Sequence, residues 1–214
     1  MLLNLWNQEL GQVPAEVFER AEITSLILAG NGLTELTPEI ARMQNLRTLD
    51  LGHNRLAQLP EEIGELDGLS DFLYLHDNRL TSLPESLARL TRLRYLNIGD
   101  NPLAGFPAVV TRMTALVELR AENCGLASLP ESIRGLRALR ELHLRNNRLV
   151  ALPDGIGELT DLRQLDLRGN PITQLPEGLA GLPRLAKLDL RWTASLDPPA
   201  WLDRLAQRGC LVYR

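Results

Sequence analysis

The side chains best suited to chemistry in this 214-residue sequence are three histidines and two cysteines. His53 and His76 are 23 residues apart, and three aspartates occupy positions around them: Asp50, Asp77 and Asp100. Imidazole and carboxylate groups are ligands for divalent metals, so this group is compatible with an adventitious ion. Histidines on a polar surface are the more common origin of such a pattern. We therefore predict no metal site and no cofactor.

Catalytic motifs are missing from the sequence. It contains no glycine-rich phosphate loop, no Gly-x-Ser-x-Gly nucleophile motif, no Cys-x-x-Cys pair and no His-Glu-x-x-His zinc motif. Cys124 falls at a predicted buried position, where a thiol is a poor nucleophile. We predict that the protein is not an enzyme and has no catalytic residues.

One polar position recurs along nearly the whole chain. Residues 142–153 read Leu-x-Leu-x-x-Asn-x-Leu-x-x-Leu-Pro, with Asn147 at the polar position. The equivalent positions lie 23 residues apart, except for one step of 24, and form the series Gln8, Asn31, Asn54, Asn78, Asn101, Cys124, Asn147, Asn170 and Thr193. A fixed period of this length is typical of a solenoid.

This repeat resembles the leucine-rich repeat family over about residues 1–196. Its Leu-Pro-x-x-Ile segment, as at residues 59–63, is similar to the 23-residue intracellular, Ras-associated type that also occurs in many bacterial proteins. The resemblance implies an α/β leucine-rich repeat solenoid that is curved. It places a parallel sheet on the concave face and short helices or 3₁₀ turns on the convex face. It also implies a protein that binds other proteins.

Each repeat contains three segments with different physical tasks. The leucines of Thr48–Gly52 alternate with polar residues, which predicts a strand with one buried face. The asparagine that follows has amide donors and an acceptor for backbone groups in the interior. The return segment, as at Leu59–Leu66, has apolar residues at helical spacing and a proline at its start, which predicts a short helix or 3₁₀ turn.

The constant period predicts a single domain over residues 1–214. We assign residues 1–23 to an N-terminal capping coil with a polar outer surface, 24–196 to the repeats and 197–214 to a C-terminal cap. In the cap we predict a helix with Trp201 and Leu205 facing inward, then a strand or tail. An extra residue between Leu69 and Leu73 predicts a bulge or a widened turn at the entry to that strand. Two tryptophans, Trp6 and Trp192, are expected to pack on the caps.

Charge and cysteine content constrain the partners and the compartment. The net charge of −4 gives no general attraction to nucleic acid. No apolar stretch approaches the roughly 20 residues that a membrane helix needs, and the N-terminus has no signal-peptide pattern. Cys124 lies too many coils from Cys210 for a disulfide. We predict a cytoplasmic protein with no membrane partner, and the near-exclusive use of arginine over lysine suggests a bacterial source. An effector exported without a cleaved signal remains an alternative.

The polar positions of each strand form columns along the concave wall, with one residue per coil. Phe72, Tyr74 and Tyr95 fall together, although the chain has only three Phe and three Tyr. Exposed aromatic residues are common interface anchors, and cross-strand stacking is the alternative reason for them. The stacked charges of Arg145, Arg168 and Arg191 need compensation, either from neighbouring acidic residues or from an acidic partner.

We therefore predict a non-enzymatic scaffold that binds a protein partner on its concave face. The alternative is the recognition module of a bacterial effector, or of a GTPase- or kinase-associated signalling system, whose catalytic part lies on another chain. Self-association through the concave wall is a third possibility, so we expect a monomer or weak homodimer. The predicted partner-binding residues are Phe72, Tyr74, Tyr95, Arg120, His143, Arg145, Asp166, Arg168 and Arg191.

Overall fold

Each coil contributes one three-residue strand to a single parallel sheet. The computed structural model describes residues 1–193 and 195–214; Ala194, inside the predicted repeat range, lies outside them. The described residues form ten strands, β1 to β10, and the order in the sheet is the order in the chain. The strands are Leu2–Asn4, Ser25–Ile27, Thr48–Asp50, Phe72–Tyr74, Tyr95–Asn97, Glu118–Arg120, Glu141–His143, Gln164–Asp166, Lys187–Asp189 and Leu211–Tyr213. The predicted curved solenoid is confirmed.

The return segments on the convex side are short 3₁₀ helices. They span Pro38–Arg42, Glu61–Glu65, Glu85–Arg89, Ala108–Arg112, Glu131–Gly135, Asp154–Glu158 and Glu177–Gly181, and a short α-helix, α1 (Ala15–Phe18), takes this place in the first coil. A proline precedes most of them, as Pro60 does with φ −70°. Its fixed φ suits entry into a helix, and its missing N–H leaves no donor without a partner.

A leucine core fills the space between the sheet and the return segments. The middle residue of each strand points inward, as with Leu49 and Leu142, which are fully buried. The return segment adds Ile63 and its equivalents from the other side. No helix in the described part of the chain is both long and apolar enough to cross a membrane.

The repeated asparagines form a hydrogen-bonded spine through this core. The Nδ2 atom of Asn147 donates to Leu144 O in its own coil at 2.9 Å and to Ala121 O in the preceding coil at 2.7 Å. Its Oδ1 atom accepts from the backbone N–H groups of Cys124 and Leu126, both at 3.0 Å. One buried side chain thus satisfies backbone groups of two coils, which would otherwise be costly to bury.

The residue before each spine position has a left-handed backbone. Positive φ values of 52–72° recur at Asn7, Gly30, His53, Asp77, Asp100, Asn123, Asn146, Gly169 and Trp192. Glycine tolerates this region, and asparagine, aspartate and histidine are enriched in it, which explains every residue type but one. Trp192 is the exception, because a bulky side chain is strained there.

The spine tolerates a cysteine at one coil. The Sγ atom of Cys124 is buried and lies 3.3 Å from Ile98 O and 3.2 Å from Glu122 O. A thiol is a weak donor, so it replaces the two donor hydrogens of an amide only in part. Burial raises the pKa of this thiol to about 11, which keeps it neutral.

The extra residue of the fourth coil widens the turn before β4, as predicted. In most coils the last turn residue and the first strand residue both donate to one carbonyl, as Arg47 and Thr48 do to Thr24. In the fifth coil Arg94 donates to Ser70 O and Tyr95 to Asp71 O. The extra residue is therefore accommodated in the turn before β4, and β3, β4 and β5 pair in unbroken register.

The C-terminal segment packs on the last coil. The helix α2 (Trp201–Gln207) buries Trp201, Leu202 and Leu205 in the leucine core, so the predicted inward-facing residues are confirmed. The following strand, β10, pairs in parallel with β9.

The expectation that Trp6 and Trp192 pack on the caps is wrong, since their side chains are 60% and 72% exposed. Each lies outside the alternating positions that point into the core. The first coil also exposes Met1 and Leu2, so its outer surface is less polar than expected.

We predict that Asn147→Leu lowers the free energy of unfolding by at least about 3 kcal/mol, because it leaves several buried backbone groups without partners. Chemical denaturation measures the change. Arg148→Leu is the matched control: the same residue is introduced one position later, at an exposed site, where the expected change is within about 0.5 kcal/mol. Equal midpoints for the two variants would contradict the role of the spine.

Candidate functional site

The sheet register brings the predicted aromatic residues together on the concave wall. Phe72 lies opposite Tyr95 on the adjacent strand, and Tyr74 follows Phe72 on the same face of β4. The ring centroids are 5.3 Å apart for Phe72–Tyr95, 5.9 Å for Phe72–Tyr74 and 4.9 Å for Tyr74–Tyr95. We call these three residues the aromatic cluster.

The aromatic cluster is packed internally and still open to solvent. Phe72 is 42% exposed, and Tyr74 and Tyr95 are half-buried. A mostly apolar cavity of about 280 Å³ lies beside it, lined by Asp71, Phe72, Arg94, Tyr95, Val117 and Glu118. Burial raises the pKa of Tyr95 to about 12 and also raises that of Tyr74. Both hydroxyls are therefore neutral and able to donate at physiological pH.

Five other predicted residues line a polar pocket of about 230 Å³ further along the wall. They are Arg120, His143, Arg145, Asp166 and Arg168, and the lining is completed by Glu122, Gln164, Leu165 and Lys187. We call this the polar pocket. Arg191, the ninth predicted residue, does not line it. Its guanidinium carbon lies 5.2 Å from the ring centroid of Tyr213 on β10.

Most concave arginines bind a carboxylate two residues earlier in the same coil. The Nε atom of Arg120 lies 2.7 Å from Glu118 Oε1, that of Arg168 lies 2.9 Å from Asp166 Oδ1, and that of Arg191 lies 3.0 Å from Asp189 Oδ1. Residues i and i+2 of an extended segment share a face. These pairs offset the like charges on neighbouring strands, as the sequence suggested.

Arg145 lacks such a partner. The equivalent position two residues earlier is His143, and the closest carboxylate is Glu122, whose Oε2 lies 4.0 Å from Arg145 Nη2. Its Nε atom is buried with no hydrogen-bond partner among the described residues. Arg145 is therefore the concave arginine with the greatest capacity for a new acceptor.

Asp189 is the most deeply buried acidic residue of this wall, at 1% exposure. Burial by itself raises the pKa of its carboxyl, but hydrogen bonds from Arg191 and the charge of Arg168 outweigh it and lower the pKa below the ordinary value. The carboxylate is thus held in its ionised form.

Two groups of side chains on this wall have a spacing compatible with a metal ion. They are Glu118, Glu141 and His143, and Glu122, His143 and Asp166, with the ligand atoms in each group within 4.8 Å of one another. Arginines already bind two of these carboxylates, Glu118 and Asp166, and Arg145 lies 4.0 Å from a third, Glu122. A cation would have to compete with those guanidinium groups, so we interpret both groups as parts of an ion-pair network.

The sequence reasoning missed several residues of these pockets. Glu118 contacts Arg120 and lines the apolar cavity, while Glu122 and Lys187 line the polar pocket. They lie in the same columns as the predicted residues, and this position in the repeat is the sequence feature that could have identified them. Tyr213 was missed because its position opposite Asp189 depends on β10 joining the sheet.

Two family models match the chain. One, described as a leucine-rich repeat region, matches residues 33–143, which is more than half of the chain. The protein belongs to the leucine-rich repeat family. A second model, described as leucine rich repeat, matches residues 130–194. Members of this family and fold are generally non-enzymatic modules that bind proteins, and no catalytic family is indicated.

The similar proteins are mostly much longer than this chain. Mouse vasorin is 37% identical over 100 residues, which is 46% of this chain and 15% of vasorin. A leucine-rich repeat protein of Leptospira interrogans has a similar structure, with a TM-score of 0.87 and 35% identity over 95% of this chain and 52% of that one. The leucine-rich repeat domain of the type III effector XopL gives a TM-score of 0.81 and 28% identity over 95% and 72%.

We predict that Cys124 is labelled by iodoacetamide at pH 8 about 100-fold or more slowly in the folded protein than in denaturant. A thiol with a pKa of about 11 is almost entirely protonated at pH 8, and only the thiolate reacts. Mass spectrometry of the labelled peptide measures the rate. Rapid labelling in the folded state would contradict a structural role for this thiol.

We predict that Asp189→Asn lowers the free energy of unfolding at pH 7 by about 1 kcal/mol, a modest value because its arginine partners are partly solvated. Because the pKa of the Asp189 carboxyl is lowered in the folded protein, its ionised form stabilises the fold at pH values above its pKa in the unfolded state. The difference in unfolding free energy between the variant and wild type therefore shrinks as the pH falls below about 4. Denaturation at pH 7 and pH 3 tests this. The exposed Asp67→Asn is the control, and a loss that is equal at both pH values would exclude the ion pair as its cause.

Proposed function

We propose that this protein is a non-enzymatic scaffold that binds a protein partner on its concave face. The observation that carries the proposal is the aromatic cluster, which is exposed beside an apolar cavity and next to a charged pocket on one rigid wall. Family membership supports protein binding in general, and the proposal adds the face and the residues that make contact.

The aromatic cluster would supply most of the binding energy. Phe72, Tyr74 and Tyr95 already pack on one another, so little side-chain entropy is lost when a partner covers them. The neighbouring cavity can accept an apolar side chain, and Tyr95, which lines it, has a hydroxyl that can donate a hydrogen bond. Tyrosine and tryptophan are enriched among interface residues with large energetic effects.

The polar pocket would supply specificity. Two of its arginines, Arg120 and Arg168, are paired within the free protein, so they cost little when no partner is bound. The terminal nitrogens of Arg145 approach a carboxylate among the described residues only at 4.0 Å, so Arg145 is the preferred contact for an acidic or carbonyl group. Charge pairs that can rearrange across an interface set orientation and exclude partners of the wrong charge.

We extend the proposal to the class and setting of the protein. The Leu-Pro-x-x-Ile segments support the 23-residue intracellular type, and the near-exclusive use of arginine over lysine supports a bacterial source. The proposed setting is the cytoplasm and the proposed role is in signalling. We further propose one domain over residues 1–214, with residues 1–23 and 197–214 capping the repeats. It would act as a monomer or weak homodimer with no nucleic acid or membrane partner.

The second candidate is a recognition module for an effector or signalling enzyme whose catalytic part lies on another chain. The similarity to the leucine-rich repeat domain of the type III effector XopL favours it, because that domain aligns with 95% of this chain. The two candidates use the same wall and differ in the identity of the bound partner.

The test is affinity purification from the native host with three baits compared against wild type. The first combines Tyr74→Ala with Tyr95→Ala, and the second is Arg145→Ala. The third, Arg134→Ala, is the control on the convex side, where Arg134 contacts Glu158 at 3.7 Å. We expect the first bait to lose the specific partner, the second to weaken its capture about tenfold, and the control to retain it.

Quantitative mass spectrometry measures the captured proteins, and thermal denaturation confirms that each bait is folded. A partner that is captured equally by wild type and the tyrosine double variant would contradict the concave site. If only Arg134→Ala lost that partner, the interface would be assigned to the convex wall instead. A partner with kinase, ligase or GTPase activity would favour the second candidate.

A further inference from the structure

Two histidines on neighbouring coils converge outside the aromatic cluster and the polar pocket. His53 occupies a left-handed turn position, and His76 lies two residues after Tyr74 on the concave wall. The backbone N–H of His53 donates to His76 O at 3.0 Å, which fixes the spacing of the two coils here. The Nε2 atoms are 3.2 Å apart, and the ring planes are nearly perpendicular at 81°.

Each ring is also held by a second neighbour. His53 Nδ1 lies 2.7 Å from Asp77 Oδ2, so that nitrogen carries a proton and donates it. This leaves the lone pair of the neutral ring on Nε2. The His76 ring covers Gly52 so closely that a Cβ at residue 52 would lie 2.5 Å from His76 Cε1. The two rings are thus fixed before any ligand arrives.

The hydrogen bonds of His76 are incomplete in either neutral form. If its Nε2 donates to His53 Nε2, its Nδ1 lone pair is buried, and no partner for that atom exists among residues 1–193 and 195–214. If Nδ1 carries the proton instead, the two Nε2 lone pairs face each other at 3.2 Å. That repulsion is removed when a cation accepts both lone pairs.

The spacing suits a tetrahedral metal ion. Two ligand nitrogens at 2.0–2.1 Å from zinc in tetrahedral geometry lie about 3.3 Å apart. We propose that His53 and His76 bind one divalent transition-metal ion such as Zn²⁺ through their Nε2 atoms, with Asp77 orienting His53. Water completes the coordination, because no group of three ligand residues in the described chain contains either histidine.

The surroundings favour a cation more than those of His143 do. Three carboxylates act on His76, those of Asp50, Asp77 and Asp100. Around His143, by contrast, arginines bind two of the nearby carboxylates, those of Glu118 and Asp166. Imidazole ligands select zinc, copper or nickel over magnesium or calcium. The ion would link two successive coils, and this role is independent of the proposed partner binding.

Calorimetric titration of the chelator-treated, full-length protein with ZnCl₂ tests the proposal. We expect one ion per chain for wild type and for His143→Ala, the matched control, and no saturable binding of Mg²⁺. His53→Asn keeps a residue type that this turn position accepts in other coils, and His76→Ala copies Ala29 of the second coil. Each is expected to weaken zinc binding at least tenfold, and Asp77→Asn by about 10–100-fold.

A further variant tests the positioning of the ring. Gly52→Ala keeps both histidines but adds a Cβ that displaces the His76 ring, so it is expected to weaken zinc binding and leave the metal-free melting temperature nearly unchanged. For wild type, saturating Zn²⁺ is expected to raise the melting temperature, because it binds only the folded state. His53→Asn should abolish that rise.

Two results would overturn the proposal. One is the absence of saturable zinc binding to wild type, which would leave His53 and His76 as a hydrogen-bonded pair only. The other is zinc binding that persists in both His53→Asn and His76→Ala, with a loss in His143→Ala, which would assign the ion to the polar pocket.

Discussion

The structure depends on a buried amide that must satisfy the backbone of two coils at once. Each spine asparagine donates to carbonyls of its own coil and of the preceding coil, and its carbonyl accepts N–H groups of that preceding coil. A shift of one residue would bury backbone groups without partners and turn the leucines outward. The spine therefore fixes the phase of every strand.

The phase determines which side chains form the concave wall, and the sequence then divides that wall into regions. Aromatic residues occupy β4 and β5, and charged residues dominate β6 to β9. The charges are mostly paired along their own coils, so a rigid wall can carry them at little cost. Arg145 departs from this pattern because His143 replaces the acidic residue that pairs with the other arginines.

Much of the fold could be predicted from the sequence because the repeat applies one rule nine times. The spine positions, the strand phase, the return segments and the inward face of the C-terminal helix follow from spacing alone. The ends were less predictable, because the residues around Trp6 and Trp192 depart from the repeat pattern, with Gln8 and Thr193 in place of the spine asparagine. The strained φ of Trp192 is visible only in the structure.

The candidate site was predictable only as a set of columns. Spacing places Phe72 beside Tyr95, but the cavity next to them depends on rotamers and on Val117 and Arg94 of the adjoining turns. The same limit applies to the histidines: the sequence places His53 and His76 on adjacent coils, while the 3.2 Å between their nitrogens requires coordinates.

Hydroxyl-radical footprinting of the protein with and without its captured partner tests the concave interface most directly. Oxidation of aromatic side chains reports their exposure to solvent, and Phe72, Tyr74 and Tyr95 are the reactive aromatic residues at the centre of the wall. We expect the partner to protect these three and leave Trp6 and Trp192 reactive. Protection of either tryptophan with unchanged oxidation of the aromatic cluster would contradict the concave interface.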